Sequence, residues 1–495
     1  MDKKIIRSKI TRPFFIALML FISFIGVKAQ SGFVFRYSTL NDEIPTSIIE
    51  IPDHGYIISA GIGTYSVEYQ GLLIRIDRNG DTLFSKKLGL SEYGGPIRHL
   101  LQLENGTYLA IGAKIPLSGK PKLWLLNFND SLGIIKDTSY VLDLESLFIY
   151  SGLINHSQNV IVYGCGYLDS ISSCHPFIFS VTPTLDSIQY KFFNIPSGQW
   201  VYSMIEKPDT SGYLMMITGT YLINTNSPSQ ILKMDNLFNF NQIDSIPGHL
   251  EMYLDSKFLN NREILITGKR TYEFSNPRTD KLGILRLDTS LLVNKEYFLG
   301  PEDTISYPAA YTNLDYTDPN KIYYGGTANI SFSSVFPSST SYILIGRFDT
   351  ALNLAWQKYF GGDQYYIVRS LTATSDGGCI ISATSYDYKR QNQEQDLYVI
   401  KIDSNGLVSG ENNLPPVRLL DAIVYPNPGN DIIYVETQLR KPVFSLYDLT
   451  GREVCSIDLV QGRNSISVQN LISGLYIYKV TQDSQVKEYG KWIKE

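Results

Sequence analysis

The cysteines, histidines and carboxylates are the side chains of this 495-residue chain that could carry out chemistry, and there are four, five and 48 of them. Cys165 and Cys174 flank the link GYLDSISS, a separation that suits a disulfide across a short loop, with His175 directly behind. A metal cluster of Cys165, Cys174 and His175 is the sharper alternative, and no fourth ligand is in view for it. Cys379 and Cys455 fall in apolar runs and are expected to be buried strand residues in separate domains. Asp77, Asn79 and Asp81 in DRNGD carry part of a calcium loop, but the glycine is misplaced and no glutamate follows at the right distance. A plain hairpin turn is the expectation there, and no metal or cofactor is assigned. The sequence contains no HExxH, no GxSxG and no phosphate-binding glycine loop. His54 sits in a turn, while His99, His156, His175 and His249 look like ordinary strand or loop residues. With so many acids, carboxylate pairs arise by chance, so no glycosidase dyad can be chosen by spacing. No catalytic residue is named, and the balance leans away from an enzyme.

Aromatic residues are the other resource, at 13% of the chain. Tyr65, Tyr69, Tyr167, Tyr221, Tyr272, Phe274, Phe332, Tyr386 and Tyr388 stand in long polar links, where ring faces among amides suit a glycan or a protein partner. Packing of the links on themselves explains the same residues equally well. Tyr65, Tyr167, Tyr272, Tyr386 and Tyr388 are the ligand-binding candidates.

The elements that must position these residues come as a repeated two-part phrase. A first apolar run closes at Gly61, Gly112, Gly164, Gly219, Gly268, Gly326 and Thr384, and a second ends in Asp or a substitute, as in LLIRID, ILKMD, ILRLD and YVIKID. Seven units follow. Unit one shows four strand-like pieces, SIIEI, GYIISAG, GLLIRID and TLFSKKL, joined by the turns PDHG and RNGD, and four antiparallel strands per repeat make the blade of a β-propeller. The first apolar run does not alternate, as expected for a sheet covered on both faces. Arg75, Lys233, Arg286, Arg347 and Lys401 each stand two places before the closing Asp and are expected on a solvated rim, a basic binding ring being the alternative. Unit seven lacks a fourth strand after KIDSNG, and FVFRYS at 33–38 has the pattern to supply it and close the ring.

TSDGGCIISATSY followed by DLYVIKIDSNG resembles the repeats of bacterial seven-bladed propeller proteins, a resemblance that covers 32 to about 409 and implies fold far more than activity. Tight turns such as PDHG, ENG and DSNG only close hairpins, whereas the links between second and third strands are long and leave one face of the ring together with the blade-to-blade connections. That long-loop face is where a ligand is expected.

Both termini read as addresses. MDKKIIRSKITR is basic, PFFIALMLFISFIGV is apolar and VKAQ follows, the pattern of a signal peptide cut after Ala29. Its removal takes six basic residues and one acidic residue and leaves a formal charge of −10 in place of −5. An acidic body disfavours nucleic acid and anionic membrane surfaces as partners, and no later segment is long and apolar enough to span a bilayer.

At the other end, GENNLPPVRLL is a polar, Pro-containing connection, and 421–495 reads as about seven short alternating strands, a small β-sandwich. Pro426-Asn427-Pro428, the YDLTGREV hairpin around Gly451, and LISGLYIYKV with Gly474 and Tyr476 make this tail resemble the type A C-terminal sorting domain of type IX secretion. The resemblance implies that an outer-membrane translocon is its partner, and that the cargo is secreted or held on the surface of a Gram-negative cell.

The expected organisation is therefore a signal peptide at 1–29, a propeller at 30–409, a linker at 410–420 and a sorting domain at 421–495. The expected function is non-catalytic binding of a glycan or protein, with a polysaccharide-active hydrolase or lyase, or a structural surface protein, as alternatives.

Overall fold

The computed structural model describes residues 32–408 and 422–494, apart from 65–66, 90–92, 117, 169–173, 194–198, 220–228, 273–278, 302–303, 333, 335, 390–393, 426–428, 438 and 484. The segments expected as signal peptide and linker, together with Tyr65, Tyr221, Phe274 and Pro426–Pro428, lie outside the described residues.

The described chain is all β. Blade one spans 42–88, blade two 93–141, blade three 146–192, blade four 199–244, blade five 252–299, blade six 306–361 and blade seven 365–402. Each is an antiparallel sheet whose strands follow one another in chain order from the inside out. In blade seven the outer place is taken by Phe33–Tyr37, which pairs antiparallel with Asp396–Ile402 in the register Phe33↔Lys401 to Tyr37↔Leu397. The first strand of each blade packs on the next blade, and Tyr365–Ala373 of blade seven packs on Asp42–Glu50 of blade one, so the ring is closed.

Second and third strands are buried along their length, as in Cys379–Tyr386 and His175–Val181, because a blade lies against each of their faces. Fourth strands carry only one covered flank, and Ile134–Val141 is almost wholly exposed. The apolar core is accordingly a series of clusters between blades: one joins Ile48, Ile58 and Ile74 of blade one to Leu397 and Val399 of blade seven, with Phe33, Phe35 and Tyr37 among them.

The repeated Asp or its substitute has a mechanical explanation. Asp77 Oδ1 accepts the amides of Asn79 and Asp81, at 2.8 and 2.9 Å, and Asp235, Asp288, Asp349 and Asp403 each cap the same turn. Three residues on, the chain turns left-handed, with φ 88° at Gly80 and 71° at Gly406. Glycine is not the rule there, however: Leu132, Leu185, Phe238, Leu291 and Leu352 take the same conformation, and four of them are buried to 3% exposure or less. Glycine stands where the space is taken, since a Cβ at Gly406 would meet Trp356 at 3.0 Å and one at Gly80 would meet Phe33 at 2.6 Å.

The solvated basic rim is corrected. Arg75 is 2% exposed and bonds Asp53, and Lys401 is wholly buried and bonds Asp376 at 2.8 Å. A buried cation must be paired, and the partner in both cases comes from the turn between first and second strands. Gly378 leaves room for this lock, because a Cβ there would lie 2.7 Å from Lys401 Nζ. Arg347 is half-buried and donates to the Ser404 carbonyl of blade seven. Lys233 and Arg286 are partly exposed and pair along their own blades with Asp244 and Glu263. Cys455 is also corrected: it is half-buried, whereas Cys379 is buried.

Residues 422–494 fold on a core of their own. Strands Ala422–Tyr425, Ile432–Thr437 and Gly462–Ser467 form one sheet, and Glu453–Asp458, Val443–Tyr447, Gly474–Gln482 and Gln485–Lys494 form the other. Val424, Ile433, Val435, Phe444, Leu446, Val480 and Trp492 fill the space between them.

Candidate functional site

The innermost strands share a β-bulge at one level, which re-aims one side chain per strand. It falls at Thr46, Arg98, Tyr150, Tyr202, Leu254 and Arg369 in blades one, two, three, four, five and seven. Blade six departs further. Its inner strand breaks between Pro308 and Leu314, and the intervening segment runs along blade seven, with a parallel bridge Thr312↔Ser370 and a Tyr311 amide donating to the Arg369 carbonyl at 2.8 Å.

Three of these side chains, Arg98, Tyr150 and Tyr202, gather with Tyr311 of blade six. Arg98 Nη1 donates to the Tyr311 hydroxyl at 2.6 Å, and the guanidinium lies 5.8 Å from the Tyr311 ring centre. Blades two and six are not neighbours, so this bond spans the ring. Tyr150 and Tyr202 stand 5.1 Å apart, ring centre to ring centre. Trp200 packs edge-on against Tyr150 at 5.8 Å and against Phe148 at 5.3 Å, and Phe148 meets Tyr167 at 5.9 Å. Tyr307 meets Phe332 at 5.6 Å and donates to Met252 Sδ at 3.4 Å.

The result is a set of aromatic contacts around one guanidinium on the inner strands. Phe148, Trp200, Tyr167, Tyr307 and Phe332 lie at the level where inner strands begin and second strands end, the face that carries the links between second and third strands. Phe148 is 39% exposed and Phe332 is 64% exposed, so this wall is open to solvent. Below it, Tyr150, Tyr202, Tyr311 and Arg98 form the floor. Burial pushes the Tyr150 hydroxyl well above the usual range and Tyr202 up to about 12, so both phenols are neutral donors. Desolvation pushes His99, beside Arg98 in sequence, down to about 4 and keeps it uncharged at neutral pH.

Asp255, next to the bulge in blade five, is an acid raised to about 6 by burial. Its oxygens accept amides of Ser256, Asn313 and Leu314 at 2.8, 3.1 and 3.3 Å, which ties blade five to blade six. That is a structural use of a carboxylate.

Of the ligand-binding candidates from sequence, Tyr167 joins the wall by direct ring contact with Phe148, and Tyr65 lies outside the described residues. Tyr167, Tyr272 and Tyr386 end their second strands rather than standing in free links, because those strands run further than the apolar pattern shows. Tyr272 lies 5.9 Å from both the Arg270 and Lys281 charges, Tyr386 is 7% exposed against Phe336, and Tyr388 lies beside Lys389. Cys165 and Cys174 are joined by a disulfide at the mouth side of blade three. Among the described residues no group of His, Cys, Asp and Glu forms a metal cluster.

Arg98, Tyr150, Tyr202 and Trp200 are not legible as site residues in the sequence, since attention to second and third strands passes over the first strand. A signal exists: TS, RH, YS, YS, LD and RS recur at the bulge positions, one before a small or polar residue in most units.

In the tail, Gly451 takes φ 83° in its hairpin. Tyr476 is 7% exposed, packs 6.0 Å from Trp492 and donates to the Ile472 carbonyl at 2.7 Å. Gly474 begins its strand opposite Lys494.

Residues 423–495 match the family described as the secretion system C-terminal sorting domain. Among curated proteins none matches. Solved structures similar to the chain include an alpha-L-arabinanase of Penicillium chrysogenum complexed with arabinobiose, at 11% identity and TM-score 0.38 over 76% of this chain and 99% of that one. Sqt1 of Chaetomium thermophilum matches at 9% and 0.38 over 72% and 84%, and the acylaminoacyl peptidase of Pyrococcus horikoshii at 10% and 0.40 over 81% and 59%. At these scores the ring stands on its own strand order and packing.

Proposed function

We propose that this chain is an exported, non-catalytic binding propeller that takes a glycan through the aromatic cluster around Arg98 and leaves the cell by type IX secretion. The observation that supports it most is the wall of partly exposed aromatic rings, Phe148 and Trp200 foremost, over a floor of phenols and one guanidinium. Flat rings stack on the apolar faces of pyranoses, and neutral phenols exchange hydrogen bonds with their hydroxyls. The sorting tail accounts for delivery, with a leader at 1–29, a linker at 410–420 and a tail from 421 that is read by the outer-membrane translocon and places the propeller outside the cell or on its surface.

The test is a glycan panel applied to the full secreted chain and to Trp200→Ala. Binding that weakens at least about tenfold in Trp200→Ala, with no new reducing ends formed, supports the reading. Release of reducing ends would make the protein a polysaccharide-active enzyme. Absence of binding to any glycan, with a protein partner recovered instead, would move the ligand class to protein. Absence of both would leave a structural surface protein.

A further inference from the structure

Arg98 occupies an unusual position for a cation. It stands on the inner strand of blade two, half-buried, and reaches across the ring to the hydroxyl of Tyr311. Among the described residues it pairs with that phenol and not with a carboxylate, although the chain holds 48 acids. Several other buried or half-buried cations of the ring have acids, Arg75 with Asp53, Lys401 with Asp376, Lys257 with Asp315 and Arg36 with Asp396, whereas Arg347 donates to a carbonyl. A phenol satisfies one N–H and leaves the charge uncompensated in a partly desolvated site.

From this charge, facing the aromatic wall of blades three and four, we infer that the cluster selects an acidic saccharide, with a uronate carboxylate placed on the Arg98 guanidinium and a sugar ring against Trp200 and Phe148. The inference rests on the proposed glycan function and narrows it. A carboxylate at Arg98 supplies the missing counter-charge and can engage two N–H groups at once. The phenol hydroxyls of Tyr150, Tyr202 and Tyr311 surround the same floor, since Tyr150 feels Tyr202, Arg98 and Tyr311 electrostatically. Tyr150 and Tyr202, held protonated by burial, can donate to an anion without competing for it. A neutral sugar would use the wall and leave the cation uncompensated.

The experiment is calorimetric titration of the full secreted chain with a galacturonate oligosaccharide, and with a neutral galactose oligosaccharide of equal length. The wild-type protein should prefer the acidic oligosaccharide by about tenfold or more. Arg98→Gln should remove that preference, losing about tenfold or more in affinity for the acidic oligosaccharide relative to the neutral one, Arg98→Lys should keep part of it, and Tyr311→Phe, which frees the guanidinium, should keep or increase it. Thermal denaturation of each variant separates lost binding from lost folding, and Tyr311→Phe carries the test if Arg98→Gln does not fold. Equal binding of both oligosaccharides by the wild type, or an unchanged preference in Arg98→Gln, would overturn the inference while leaving the glycan reading intact. Binding of neither would overturn both, and preference for a peptide with a free C-terminal carboxylate would assign Arg98 to a protein ligand.

Discussion

Glu43 shows how a single side chain couples the ring seam to pH. It is wholly buried where blade one meets blade seven, with its amide donating to the Gln395 carbonyl at 2.8 Å and its carboxyl accepting the amide and hydroxyl of Thr39. Burial raises its pKa well above the usual carboxylate range, the Thr39 hydroxyl opposes this, and Asp396 adds to it. A raised carboxyl pKa means the folded state holds the proton longer than the unfolded one. Its contribution to stability is full below the unfolded-state value of about 4.3 and is lost as pH rises through the folded value. Glu43→Gln keeps the shape and removes the ionisation, so it should melt about 2 °C or more above wild type at pH 8 and show a shallower fall in Tm from pH 5 to pH 8. Parallel pH profiles for the two proteins would refute this. Arg75 and Lys401 teach the complementary lesson about legibility. Their spacing is visible in the sequence, but a charge on an alternating strand reads as solvent-facing until its partner is known, and Asp53 and Asp376 lie in a different turn.

Turns between third and fourth strands carry the repeat at the scale of the element. Leu352 is wholly buried at φ 55°, a conformation that costs a non-glycine residue about 1–2 kcal/mol. Burying a leucine side chain returns about 1.5–3 kcal/mol, which is why leucine persists there. Leu352→Gly relieves the strain and empties the site, so a net loss of about 1–3 kcal/mol is expected by denaturant unfolding. Gly80→Leu should also destabilise, because Phe33 already fills that space. A stabilised Leu352→Gly would show that strain outweighs packing. The closing Asp and the NG turns of units one and seven are plain in the sequence, while the turns built on Leu132, Leu185, Phe238 and Leu352 are hidden among ordinary apolar residues. A related limit hides the axial residues: the bulges at Arg98, Tyr150 and Tyr202 leave only a two-residue mark, a bulged residue before a small or polar one, which is too short to stand out without the pairing. Phe33–Tyr37 is the contrasting case, since the missing outer strand after KIDSNG points to a segment far away in sequence, and Phe33–Tyr37 pairs there. Deleting 30–38 would expose the Asp396–Ile402 edge and remove Phe33, Phe35 and Tyr37 from a shared core. The melting temperature should fall on the order of 10 °C, and an unchanged melting curve would show that the strand is dispensable.

For the whole molecule, two cores close independently along one chain. Among the described residues the ring is completed by strands between Phe33 and Ile402, and the core of the tail is built from residues between Ala422 and Trp492. Among the described residues neither core borrows a strand from the other, so the tail can act as an address without being part of the fold it delivers. Truncation before Asp421 should therefore leave the ring folded, with a thermal transition matching that of the full chain. It should also trap the protein in the periplasm of a host with type IX secretion. The reciprocal fusion tests sufficiency: residues 410–495 joined to an unrelated periplasmic reporter should carry that reporter outside, with the tail lost from the product. Fractionation and intact mass of the external protein read both outcomes. Normal export of the truncated chain would mean that the address lies elsewhere, and the sandwich would then be better explained as an adhesive module accompanying the propeller.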